Sequence, residues 1–482
     1  MKTPLLGQAY VARSVNAADN RLINLFPEAI PAEGKEAGFL SRTPGLRLLT
    51  TVGTGPIRAL YSHTTQGDDC YIVSGDTVYQ LDSLTDGSSP VTLGTVSGTG
   101  LVSIADNGTQ IMFVAEPDGY IYNETTSTFS TITDPDWPGA VTVAFVDGYF
   151  VFNEPDSQKI WITSLYDGTD INALEFASAE GSPDLVVAVV VDHRETWVFG
   201  TNSIEVWYDS GNTDFPLQPI QGAFMESGLA AAYSVAKLDN SLFWLGRDAR
   251  GQGQVYRAKG YGGVRISTHA VEYAIAQYGE ISDAVAFTYQ QEGHAFYVLT
   301  FPVVEKTWVY DVSTEMWHER AAFVNGVFTR WRGHCQMSFK NEIVVGDYEN
   351  GNLYALDLDV YADNSVIQKY LRSWRALPPG QNNLKRSAQH SLQVDVEAGV
   401  GLVTGQGSDP QMLLRWSDDG GHTWSNYHQR AIGKIGVTGQ RAIWRRLGMT
   451  MKLRDRVYEI SGTDPNRIAI MGAELYVTPT NA

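Results

Sequence analysis

The sequence predicts an all-β protein: a β-propeller of seven blades, or six, followed by a C-terminal β-sandwich or jelly-roll-like domain. Three observations carry this. Short runs rich in Val, Ile, Phe, Tyr and Trp recur along most of the chain; net charge turns from negative to positive near residue 362; and helical patterning is confined to two turns near 271–278. β-Branched and aromatic runs bounded by Gly, Asn, Asp and Ser read as antiparallel strands joined by tight turns.

The clearest unit is 185–209. An apolar run ends in Asp192-His-Arg-Glu195, a second run covers Thr196 to Phe199, a Gly200-Thr-Asn-Ser203 corner follows, and Ile204 to Tyr208 alternates. Related units begin near Ile57, Leu101, Val141, Leu185, Leu229, Ile281 and Val327, and each ends in an aromatic-rich strand such as 78–81, 206–208 or 353–356. A repeat of roughly 40 to 50 residues with about four strands is the mark of a propeller. One small twisted sheet cannot bury both faces, so neighbours stack and close into a ring. Seven units are countable; six remain if one is a closing strand pair, since no sharp dipeptide signature fixes the phase.

Residues 1–52 precede the first blade and form an N-terminal arm, broken into extended pieces by Pro27, Pro31 and Pro44-Gly45. Its strand either completes the last blade or lies on a neighbouring subunit. The propeller covers 53–362, with the longest insertions at 212–227, 247–253 and 260–281, where partner contacts are expected. From 363 to 482 the repeat stops. Strands near 391–397, 412–417, 441–456 and 468–477, with long connections, read as the sandwich.

The 482 residues carry a net charge of −19. Residues 1–362 hold 20 Lys/Arg against 44 Asp/Glu, and 363–482 hold 15 against 10. An acidic main body repels phosphate and argues against general nucleic-acid binding. Cys70 and Cys335 follow no metal-ligand spacing and read as reduced thiols. No apolar leader and no spanning run of about 18 residues is present, so a soluble protein made in a cytoplasm is expected.

No catalytic, cofactor-binding or metal-binding residue is predicted. The best local match, Ser417-Asp-Asp-Gly-Gly-His-Thr-Trp424, fits the Asp box of sialidases and other β proteins. It reads as a folding device in which Asp419 caps turn amides, Gly421 takes a positive φ and Trp424 packs beneath. The pairs Asp68-Asp69 and Asp418-Asp419 read as solvated turn acids, and no nucleophile elbow, zinc motif or phosphate-cradling loop occurs. In 441–456, Leu447, Met449, Met451 and Leu453 share one strand parity while Arg446, Lys452, Arg454 and Arg456 share the other. As one strand this gives an apolar face and a basic stripe, so Arg446, Lys452, Arg454 and Arg456 are the expected contact with an acidic subunit or partner, with a solvated face as the alternative.

Taken in order, the arm ending in Pro44-Gly45, the 196–208 pattern, Val309-Tyr-Asp311 with Trp317, the Asp box and Trp444-Arg-Arg-Leu-Gly448 resemble the tail-hub, or packaged-DNA-stabilisation, proteins of short-tailed bacteriophages. The resemblance implies a non-enzymatic virion protein, assembled in the host cytoplasm as a homo-hexamer. It implies as partners the head-to-tail adaptor below the portal, tailspikes or tail fibres, and a tail needle or nozzle, with DNA passing through without sequence-specific binding. It implies no cofactor and no contact residues. Against it stand a sialidase-like propeller glycosidase, which needs an Arg cluster, a Tyr nucleophile and an acid converging on the central axis, and a carbohydrate-binding scaffold.

Overall fold

In the computed structural model, residues 1–480 are described apart from 16, 32–33, 64–68, 86, 214, 249, 382–384 and 452–455. Seven blades form a closed ring, spanning 57–95, 103–131, 143–178, 186–225, 228–265, 285–320 and 333–357. Each blade runs antiparallel from an inner strand outward, and the inner strands touch in sequence around the ring until Gly333–Phe339 meets Ile57–Ser62. The only α-helix among the described residues is His269–Ile275, where Thr268 caps the Val271 N–H.

Turn chemistry sets the hairpins. His193 and Arg194 (φ 51° and 63°), Asp239 and Asn240 (49°, 54°), and Lys340 and Asn341 (46°, 68°) take the paired left-handed conformations of two-residue turns, whose twist matches the flanking strands. In blade 4 the Asp184 carboxylate gathers the 200–203 corner, accepting from the Asn202 and Ser203 N–H groups at 2.6 and 2.9 Å and from Ser203 Oγ at 3.0 Å.

Closure comes from the N-terminus. Gly45–Thr51 is the fourth strand of blade 7, antiparallel to Asn352–Asp357 with Leu353 opposite Thr50 and Asp357 opposite Gly45, and the short strands Ala362–Asp363 and Val366–Ile367 extend the sheet beyond it. Of the two placements open to an arm strand, the ring-closing one is realised. The seventh unit begins at Gly333 rather than at Val327, because Val327–Thr329 folds back on Ala322–Val324 as a separate hairpin.

The C-terminal sandwich has two five-stranded sheets. One orders Leu22–Ile23, Tyr370–Arg375, Val457–Gly462, Gln411–Ser417 and His428–Ala431; the other orders Leu25–Ala29, Gly38–Arg42, Ala469–Pro479, Ser387–Val396 and Ala442–Arg445. Three of these ten strands lie before residue 45, a contribution the sequence did not reveal. The first sheet continues into blade 6, since Ile23 pairs in parallel with Glu319 of Met316–Arg320.

A single hydrophobic cluster therefore runs from blades 5 and 6 (Phe243, Tyr297, Trp317) into the sandwich (Trp374, Leu392, Trp444). Six smaller clusters fill the gaps between successive blades. Two buried arginines tie the arm in by donating to carbonyls. Arg42 reaches Asp464 O at 2.6 Å, Asn466 O at 2.9 Å and Tyr361 O at 3.2 Å, and Arg372 reaches Leu5 O at 2.7 Å and Gln8 O at 3.3 Å. Burial pushes these guanidiniums down to about 10 and about 9, yet both remain charged at neutral pH because the carbonyl dipoles replace water.

Candidate interaction surfaces

The ring axis holds a cavity of about 680 Å³, and Arg58, Tyr61, Asp106, Tyr233, Lys237 and His334 are among its lining residues. Most of the polar groups there have a structural partner, while Lys237 is exposed. Arg58, 3 % exposed, donates to Gly75 O at 3.0 Å and Ser97 O at 2.8 Å. Tyr233 donates to Leu101 O at 3.2 Å, and burial holds its phenol above the ordinary tyrosine range. The Asp106 carboxylate accepts from Tyr61 and from the Gly108 N–H. Desolvation lowers Lys237 and takes His334 down to about 3. Among the described lining residues Arg58 is the one arginine, held within blade 1, so the Arg cluster of a sialidase-type centre is not assembled here. No group of three or more His, Cys, Asp and Glu is arranged to hold a metal among the described residues.

The Asp box folds a turn. Asp419 accepts from the Thr423 N–H at 2.8 Å, Thr423 Oγ1 at 2.5 Å and Ser417 Oγ at 2.7 Å. Gly421 has φ +96°, and Trp424 donates to Gly421 O at 3.0 Å beneath the Arg415 guanidinium, 4.6 Å from its ring centroid. The bonds from Thr423 come first in holding the Asp419 carboxyl below its usual range. Its neighbour Asp418 is not a solvated acid but the partner of Arg456, at 2.7 and 2.9 Å.

That pairing corrects the reading of 441–456 as one strand. Ala442–Arg445 is a strand, but Arg446 at φ 62° and Gly448 at φ 79° turn the chain, and the next strand among the described residues is Val457–Gly462. Leu447 is buried while Met449 and Met451 are 49 % and 59 % exposed, so strand parity does not hold. Arg446 is exposed; Arg456 is buried and also donates to Leu447 O at 2.6 Å; Lys452 and Arg454 lie outside the described residues. An open groove of about 640 Å³ is lined by His390, Arg445, Arg446, Met449 and Tyr476 among others, on the outer face of the second sandwich sheet.

Charge is divided more sharply than a two-domain split implies. Residues 57–225, which build blades 1–4, hold 24 Asp/Glu and only Arg58, Lys159 and Arg194 as cations, whereas 226–362 hold 16 acids against 11 bases. A concentrated field of this kind steers and selects partners.

A closed propeller continuous with a sandwich, its charge segregated along the chain, defines a protein of the propeller–sandwich class. Residues 1–361 match the family model described as bacteriophage P22 Gp10, beta-propeller, and residues 378–478 match that described as bacteriophage P22 Gp10, beta-sandwich. The chain belongs to the bacteriophage P22 Gp10 family, structural proteins of the phage tail, and is accordingly a virion component.

No curated protein matches the sequence. Solved structures similar to it include YCF48 from Cyanidioschyzon merolae (11 % identity, 65 % of this chain and 99 % of that chain, TM-score 0.43) and the Neurospora crassa Pan2 WD40 domain (8 %, 65 % and 96 %, 0.43). A computationally designed protein, Ika8, is similar at 14 % identity, covering 70 % of this chain and 99 % of that one, with a TM-score of 0.39. No described helix is long and apolar enough to cross a membrane.

Proposed function

We propose that this protein is a tail hub: a non-enzymatic ring of six copies, assembled in the host cytoplasm, that extends the portal and adaptor channel and retains packaged DNA. In this reading it anchors tailspikes or fibres and a needle or nozzle. The observation that carries the reading is the succession of both Gp10 models, propeller then sandwich, along one chain. The physics supports it. A closed ring continuous with a sandwich through shared strands and a shared core resists deformation under load, and blades 1–4 present an acidic surface that duplex DNA slides past without adhering.

The test is a phage carrying a stop codon in this gene. Its particles should fill with DNA, lose it on release and lack spikes or fibres, and supplied protein should restore them. Particles that keep their DNA and complete tails without the chain would overturn the proposal.

A further inference from the structure

Two exposed surfaces of opposite character lie at opposite ends of the molecule. The first is the loop at 163–175, between the third and fourth strands of blade 3. It exposes Leu165, Tyr166 and Leu174, the last 79 % accessible, beside Asp167, Asp170 and Glu175. Its backbone is anchored, since Ile171 and Ala173 donate to the carboxylates of Asp134 and Asp136 at 3.4 and 3.2 Å and the Gly168 N–H donates to Gln110 at 2.7 Å. No lysine or arginine occurs between Lys159 and Arg194.

The second is the groove on the outer sandwich face, where Met449 and Tyr476 (63 % exposed) sit among Arg445, Arg446 and His390. The His390 ring lies 4.8 Å from that of Tyr476, which fixes the apolar wall of the groove. Apolar side chains framed by like charge are the makings of an interface, and here the two frames have opposite sign.

Ring order keeps the two apart within one chain. The sandwich extends from blade 6, and in a seven-bladed ring blades 2 and 3 lie across the axis from blade 6. We propose that the acidic blade-3 loop at 163–175 docks in the basic groove of the sandwich of a second copy of this chain, head to tail. The occupant is a second copy because the complementary charge and the complementary apolar groups are both present on the same chain. The contact is heterologous, so repetition yields a closed ring or an open filament rather than a two-fold dimer. It rests on the tail-hub reading only in requiring that copies of the chain meet.

The experiment mixes two full-length variants, Leu174→Cys and Met449→Cys, under mild oxidation, with Val91→Cys replacing Leu174→Cys as control. The native Cys70 is buried and Cys335 half-buried. The expected result is a disulfide-linked pair in the first mixture and none in the control. Asp170→Lys and Arg446→Glu should each weaken association about tenfold, raised salt should weaken the wild type, and the two reversals together should recover most of the loss. Cross-links only between identical variants, equal cross-linking of the control, or no recovery in the double reversal would overturn the interface. If assembled tails hold several copies and the Leu174→Cys and Met449→Cys chains still never join, the interface falls and the tail reading stands; if neither tails nor concentrated protein hold more than one copy, both fall.

Discussion

Arg456 and Asp418 form a two-point ion pair, Nε to Oδ1 at 2.7 Å and Nη2 to Oδ2 at 2.9 Å, with the arginine 2 % exposed. The guanidinium also lies 5.0 Å from the Trp416 ring and 5.9 Å from the Tyr458 ring. The pair locks the Asp-box turn to the segment that leads into Val457–Gly462. Removing one member leaves the other charge unpaired, which costs about 3 kcal/mol when the remaining charge is buried. Asp418→Asn should therefore destabilise the protein by an amount of that order in urea unfolding. Arg456→Met, which keeps the packing on Trp416, should cost less. Equal stability of Asp418→Asn and wild type would show that the pair adds nothing.

Ring closure depends on Gly45. A Cβ there would stand 2.3 Å from Val360 O and 2.6 Å from Ala362 O, both backbone atoms that cannot swing aside. Gly45→Ala should push the closing strand off Asn352–Asp357 and lower stability by about 1–3 kcal/mol, the range for overpacking a tight site. Hydrogen exchange should show the loss first in blade 7, at the amides of Leu353 and Ala355. Uniform exchange across all seven blades would argue that closure is not the weak point.

The seven inner three-strand sets were legible because their apolar runs carry the inter-blade cores: Ile72, Phe113, Phe152 and Phe199 all sit in buried strands. The outermost strands were not. Val91–Thr95 and Thr128–Thr131 are mostly exposed and polar, so nothing in their composition separates them from loops. Val327-Phe-Thr329 reads as a strand and is one, but its partner is local, which shifted the seventh unit by six residues. The arm's share in the sandwich was hidden because its pairings, Ile23 with Leu371 and Leu40 with Ile470, join residues hundreds of positions apart. In 441–456 the alternation was real in sequence, yet the left-handed backbone at Arg446 and Gly448 ends the strand, and the reserved place beside Asp418 takes Arg456 inside. The Asp box was fully readable because each of its bonds is local.

The shared core predicts joint unfolding. Trp317 in blade 6 and Trp374 in the sandwich are both fully buried and belong to one cluster, with Trp374 donating to Thr3 Oγ1 at 3.0 Å and Trp317 to Ile266 O at 2.9 Å. Trp374→Ala removes a large core side chain at a cost of about 3–5 kcal/mol. Because blade 6 and the sandwich share a sheet as well as a core, the substitution should lower one common calorimetric transition. A sandwich peak that moves while the blade transition stays fixed would refute the coupling.

Asp363 gives the stability a pH dependence. It sits where the chain passes from propeller to sandwich, fully buried, and burial drives its carboxyl up to about 7, against the opposing pull of the Gln368 amide at 3.4 Å and of Arg42, Arg320 and Arg332. Between the ordinary carboxyl range near 4 and pH 7 the folded chain holds a proton that the unfolded chain has released. Folding is therefore favoured at the acidic end of this window and loses stability as pH rises through 7. His294, raised by its bond to Asp311 at 2.8 Å, acts in the same direction. Asp363→Asn keeps the shape and removes the titration, so the variant should match the wild type near pH 5 and exceed it in urea midpoint at pH 8. If the difference between the two proteins is constant from pH 5 to 8, Asp363 does not titrate in this window.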